Sequence, residues 1–192
     1  MNEFLKSTDV IDWRHPEVVA RARSLASGCK EPTEIARRCF EWVRDEIRHS
    51  LDHGLQPVTC SASEVLKVGS GFCYAKSHLL AALLRANGIP AALCYQRLSC
   101  NDDGTEFCLH DLNAIHLQDV GWYRVDARGN RADVDAQFTP PSERLAFQLN
   151  STGEADLPGL FADPLPVVVV ALTSHSTAND LCKHLPDLEA ST

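Results

Sequence analysis

Three side-chain types that together make a thiol nucleophile occur in one order along this chain: Cys73, then His110 or His116, then Asp126. Cys73 follows Gly69-Ser-Gly-Phe and precedes a largely apolar run to Ala86. This spacing predicts a glycine turn that delivers the thiol to the first turn of a helix, where free N–H groups and partial positive charge favour thiolate over thiol. Such a thiolate needs an imidazole as base, and a third group that accepts the other ring N–H and fixes the tautomer. Histidine and carboxylate can meet across a hairpin, whose opposed Cβ atoms lie ~4.5–5.5 Å apart. A tight turn centred near Gln118 would set His110 opposite Asp126, whereas a turn centred on Val120 would set Ala114 there and leave His116 diagonal to it. The pattern leaves both histidines open as the base.

The elements that must position these groups are legible from periodicity and caps. Pro16 to Ala26 reads as a helix, with proline at its start and Gly28 past its end. Ile35, Cys39, Phe40, Val43 and Ile47 form one stripe of a second helix, from Pro32 to about His49. Ser61 and Glu64 make a capping box for a short helix ended by Gly69. The Cys73 helix is apolar over much of its circumference, which predicts a central, buried helix. It stops at Asn87-Gly88, and Pro90 prevents its resumption. Ala91 to Leu98, Glu106 to Gln118 and Trp122 to Ala127 read as strands, joined by turns at Asn101 to Thr105 and Asp119 to Gly121. The loop-rich tail from 131 to 192 is expected to wrap the core. Within it, Pro166 to Leu172 reads as a β-branched strand and Ser176 to about Leu185 as a short capped helix.

Length and charge bound the function. The 192 residues fit one domain, and 26 acidic against 18 basic residues give a net charge of −8. With no basic run, a nucleic-acid or anionic-membrane surface is not expected. The longest apolar run, Val167 to Leu172, is too short to span a bilayer, and the N-terminal residues do not read as a signal peptide, so a cytoplasmic location is expected. The eight cysteines are accordingly read as reduced, with Cys39 and Cys94 as packing residues. A rival zinc site from Cys100, Cys108, His110 and His116 lacks the closely spaced cysteine pair such sites use, so no metal is expected; no cofactor is expected either.

Gly71-Phe-Cys73, the leucine-rich helix ending in Leu84-Arg-Ala-Asn-Gly-Ile-Pro-Ala91, His110 and Gly121-Trp-Tyr-Arg-Val-Asp126 together resemble the transglutaminase-like superfamily. Phe40-Glu-Trp-Val-Arg-Asp45 and Ser63-Glu-Val-Leu66 resemble its lead-in. The resemblance implies an α+β, papain-like fold with the cysteine-bearing helix packed on an antiparallel sheet. It implies a core over about 33–130, with 131–192 as a C-terminal extension of a single domain. By it Cys73 is the nucleophile, His110 the base and later acid, and Asp126 the orienting carboxylate. The implied chemistry is an acyl-enzyme thioester formed from a peptide or protein amide and resolved by water or an amine. A catalytically silent binding module is the alternative, and the oligomeric state is left open.

The oxyanion of such a reaction would take the Cys73 backbone N–H as one donor, and Gln56, an amide upstream of the nucleophile, is the candidate second. At one place the chain departs from the family pattern. Asp111-Leu112 follow His110, where a small residue and an aromatic are usual, which predicts an aliphatic wall beside the base. His78 and Ser77 are read as structural, and Trp122 as sharing Asp126's face.

Overall fold

A computed structural model describes residues 1–101 and 104–188. A 3₁₀ turn at Asn2–Leu5 precedes α1 (Pro16–Ala26) and α2 (Pro32–Glu46). Then follow β1 (Arg48–His49), α3 (Ala62–Val68), β2 (Ser70–Gly71), α4 (Cys73–Ala86), β3 (Ala91–Ser99), β4 (Phe107–Leu117) and β5 (Gly121–Val125). The tail adds β6 (Ala155–Asp156), α5 (Pro166–Ser174) and α6 (Ala178–Leu181). A four-stranded antiparallel sheet in the order β5-β4-β3-β6 carries α4 on one face, and α1, α2 and α3 close over α4 from the other side. This is an α+β architecture with the cysteine-bearing helix packed on an antiparallel sheet, as the residues imply.

Helix α4 is the centre of the molecule: thirteen of its fourteen residues are buried, most of them apolar. Leu79, Leu80, Leu83 and Leu84 are fully buried, each contributing about 1.5–3 kcal/mol relative to exposure. Its start is set by α3, whose Ser61 and Glu64 form a reciprocal capping box and whose helix stops at Gly69 in the left-handed region (φ 74°). From there only three residues separate the stop from Cys73.

Local structure departs from the sequence pattern in four places. Helix α2 ends at Glu46 instead of near His49, because Arg48 and His49 leave the helix to pair in parallel with Ser70 and Gly71. The β4–β5 hairpin pairs His116 with Trp122 and Leu117 with Gly121, which centres its turn on Asp119, between the two registers considered above. Pro166–Ser174 is a helix, not a strand. Proline at its first position presets the helical φ, and Val168, Ala171 and Leu172 bury one face at i, i+3, i+4 spacing, which outweighs the modest helix penalty of valine. Finally, Cys100 and Cys108 are joined as a disulfide at the turn end of the β3–β4 hairpin. The reading of all eight cysteines as thiols is corrected there: strand pairing brings the two sulfurs together. The expected turn between these strands includes Asp102 and Asp103, which lie outside the described residues.

Candidate active site

The first helical residue of α4 is Cys73, with Phe72 as the N-cap, so its backbone N–H is one of the donors a helix start leaves without an intrahelical acceptor. Gly71, two residues before it, sits in a close-packed spot. A Cβ there would lie 3.0 Å from both the Ala75 Cβ and the Thr59 Oγ1, closer than side chains pack. The thiol is only 9% exposed and opens on a cleft of about 580 Å³.

His110 reaches the same cleft from β4 and lies close enough to Cys73 for the sulfur to act on the charge of its ring. Its Nε2 is 2.7 Å from the Asp126 Oδ2, which leaves Nδ1 for the sulfur. The hairpin register sets Asp126 beyond the last paired residue of β5, so the contact spans a diagonal instead of a directly opposed pair. Asp126 is fully buried and is held by two further donors: the N–H of Arg128 at 3.0 Å and that of Ala146 at 3.2 Å.

The electrostatics follow from these contacts. For His110, burial opposes the charged ring, yet Asp126 on one side and Cys73 on the other outweigh it and raise the pKa from 6.5 to about 10. Burial likewise raises Asp126, and is overcome by the charge and hydrogen bond of His110 and the two backbone donors, which lower it below the usual carboxylate range. Lys76, one turn along α4 from Cys73, lies buried behind the site. Its Nζ donates to the Ile47 and Arg44 carbonyls at the end of α2, and burial depresses its pKa from 10.5 to about 7.

Cys73, His110 and Asp126 are therefore brought together, and other expected residues are not. Gln56 is exposed, with its amide directed to the Gly54 carbonyl, and it is absent from the cleft lining. His116 packs on Trp122 at 5.4 Å, and Trp122 also packs on Phe4, away from the cleft. Cys100 and Cys108 are bonded to each other, so those four residues do not form the considered zinc set. Leu112 is buried in a second small cluster with Ala92, Cys94 and Leu145. The ring beside the base is instead Phe147, edge-on to His110 at 4.9 Å, so the wall is aromatic and comes from the tail. No local pattern signals Phe147, because only the tertiary path of the tail sets it there. His49 and Arg128 also line the cleft. His49 had a signal, its position at the end of the second amphipathic stripe, but it was absorbed into the predicted helix.

A family model described as the transglutaminase-like superfamily matches residues 19–127, more than half of the chain. No curated protein matches the chain at a significant level. Among solved structures, a "Putative Cysteine Protease" from Cytophaga hutchinsonii aligns with TM-score 0.53 and 17% identity over 65% of this chain and 40% of its own. The periplasmic domain of TgpA from Pseudomonas aeruginosa aligns with TM-score 0.48 and 21% identity over 65% of this chain and 45% of its own. This chain therefore spans less than half the length of either of these chains. Among the described residues no helix is long and apolar enough to cross a membrane.

Proposed function

The chain belongs to the transglutaminase-like superfamily, and from that membership we propose that it is a cysteine-dependent amide hydrolase or acyl transferase. Cys73 is the nucleophile, His110 the proton carrier and Asp126 the orienting carboxylate. The observation that carries the reading is that Cys73 and His110 line one cleft, with His110 hydrogen-bonded to buried Asp126 behind it.

The thiolate attacks the carbonyl carbon of an amide, and the imidazolium of His110 gives its proton to the leaving nitrogen as the C–N bond breaks. A Cys73 thioester results. Water or an amine then attacks it, His110 takes the proton of that nucleophile, and the acyl product leaves as the sulfur recovers its electron pair. A ring held cationic up to about pH 10 suits the first step, since it keeps the proton donor loaded beside the sulfur at neutral pH.

A peptide or protein amide is the substrate class that the cleft wall favours. Residues 146–148 line the cleft without regular structure, and among the described residues the N–H groups of Phe147 and Gln148 donate to no protein acceptor. An extended chain laid beside them would find backbone donors, the general mode by which peptides add to an open backbone edge.

Iodoacetamide alkylation of Cys73, followed by peptide mass against pH, tests the ion pair. In His110→Ala the rate at neutral pH should fall at least about 10-fold relative to the intact protein, because the thiolate loses its counter-ion. Superimposable profiles would remove His110 from the proposed role.

A further inference from the structure

We infer that His49 is the second oxyanion donor, presenting its Nε2–H to the carbonyl oxygen under attack at Cys73 beside the Cys73 backbone N–H. The inference rests on the proposed thiol chemistry and names a group that chemistry needs and Gln56 does not supply.

Placement comes first. The two-residue strand β1 sets His49 directly opposite Gly71, two residues before the nucleophile. Backbone bonds on either side, Arg48 N–H to Gly69 at 3.0 Å and Ser50 N–H to Gly71 at 3.1 Å, lock this register. The His49 ring packs against the Phe72 ring at 5.8 Å and lines the cleft together with Cys73 and His110. A donor for an oxyanion must be fixed before the charge develops, and this one is fixed by strand pairing and ring packing.

The tautomer comes second. Nδ1 of His49 is sealed from solvent without a hydrogen-bond partner, 3.7 Å from the Asp52 Oδ1. That distance is too long for a hydrogen bond. Asp52 is already engaged by Arg128 at 2.6 and 2.9 Å and by Arg131 at 3.1 Å. A proton on Nδ1 would therefore have no acceptor, whereas Nε2 is not sealed in this way and belongs to a ring that lines the cleft. Burial and the neighbouring Arg128 also hold the ring neutral, moving its pKa from 6.5 to about 3. A neutral imidazole carries one N–H and does not compete with His110 for the thiolate as a second cation. The tetrahedral adduct forms a bond from the Cys73 sulfur to the carbonyl carbon, and the carbonyl π pair moves to the oxygen facing His49 Nε2.

Alkylation and acylation separate this role from a structural one. Iodoacetamide reacts with a thiolate by displacement at carbon and develops no oxyanion. p-Nitrophenyl acetate acylates the same sulfur through a tetrahedral oxyanion. In His49→Phe, which keeps the ring packing on Phe72 but removes the N–H, acylation should fall about 100-fold or more. Alkylation of Cys73 should change less than about 3-fold, because no donor is involved in it. His49→Gln restores an N–H donor and should recover at least about 10-fold of the lost acylation. His49→Leu supplies the same two readings if phenylalanine impairs folding. Unchanged acylation in the donor-less variants, or alkylation falling in parallel with acylation, overturns the assignment. An intact protein whose Cys73 is alkylated but never acylated overturns the proposed function, and this inference with it.

Discussion

At the scale of single residues, Asp126 carries the most constraint. It receives three hydrogens, from His110, from the Arg128 N–H and from the Ala146 N–H, all in a fully buried position. An asparagine there has one oxygen and one NH₂ group for three donors, so at least one N–H must face another N–H. Either the ring loses its acceptor or a buried backbone donor loses its own. Asp126→Asn should therefore lower turnover of p-nitrophenyl acetate at least about 100-fold, as mis-set tautomers do in related triads. A variant within about 3-fold of the intact protein would show that His110 needs no such orienter. Cys73 and Asp126 are legible in the sequence because a glycine turn before a helix and a strand-end aspartate are local signals. The choice of His110 over His116 is not, since it hangs on one residue of hairpin register. Phe147 is less legible still: its contact with His110 crosses 37 positions of sequence and obeys no periodicity.

At the scale of elements, the strap formed by β1 and β2 is what holds the cleft against the end of α4. It has only two residues a side, so its position depends on how closely β2 can approach α3 and α4. Gly71 allows that approach, and its neighbours cannot retreat: Thr59 is buried with its hydroxyl donating to the Ser70 carbonyl at 3.0 Å, and Ala75 is fixed in α4. The methyl group of Gly71→Ala would overlap both, with an expected cost of about 1–3 kcal/mol in urea unfolding. The same displacement moves His49 and Cys73 apart, so acylation should fall further than alkylation. A variant as stable as the intact protein would mean that the strap shifts freely. Short pairings of this kind are invisible to pattern reading, because two residues have no period. The longer elements α1, α2, α3 and α4 were legible from stripes and caps, and α5 was misread because a valine run favours a strand until proline and a buried face decide otherwise.

At the scale of the whole molecule, the tail is tied to the core by contacts that its sequence does not announce. Arg85 of α4 donates to Lys6, Ala91 and Ala162 carbonyls, and the Leu109 N–H reaches the Pro186 carbonyl at 2.7 Å. We propose that core and tail unfold together, so that the pH dependence of stability is read in one transition. Two buried histidines then act differently. His78 donates from Nδ1 to the Cys60 carbonyl at 2.8 Å and turns Nε2 toward Asp111, 3.8 Å away. Burial lowers His78 to about 4 and raises Asp111 well above its ordinary value. The two shifts act in opposite directions on proton uptake: folding weakens proton binding at the imidazole and strengthens it at the carboxyl. Their effects on the pH dependence of stability therefore oppose each other. His49 has no such compensation. With Arg128, Lys76 and His110 around it and Asp52 opposing them, it stays neutral when folded down to about pH 3, but binds a proton below 6.5 when unfolded. Its contribution is therefore complete above pH 6.5 and is lost as pH falls, at about 1.4 kcal/mol per pH unit. Urea midpoints at pH 6.5, 5.5 and 4.5 should fall with that slope in the intact protein and markedly less in His49→Phe. Equal slopes in the two proteins would mean that the His49 ring is charged when folded, which would also leave it unsuited to sit as a neutral donor beside the Cys73–His110 pair.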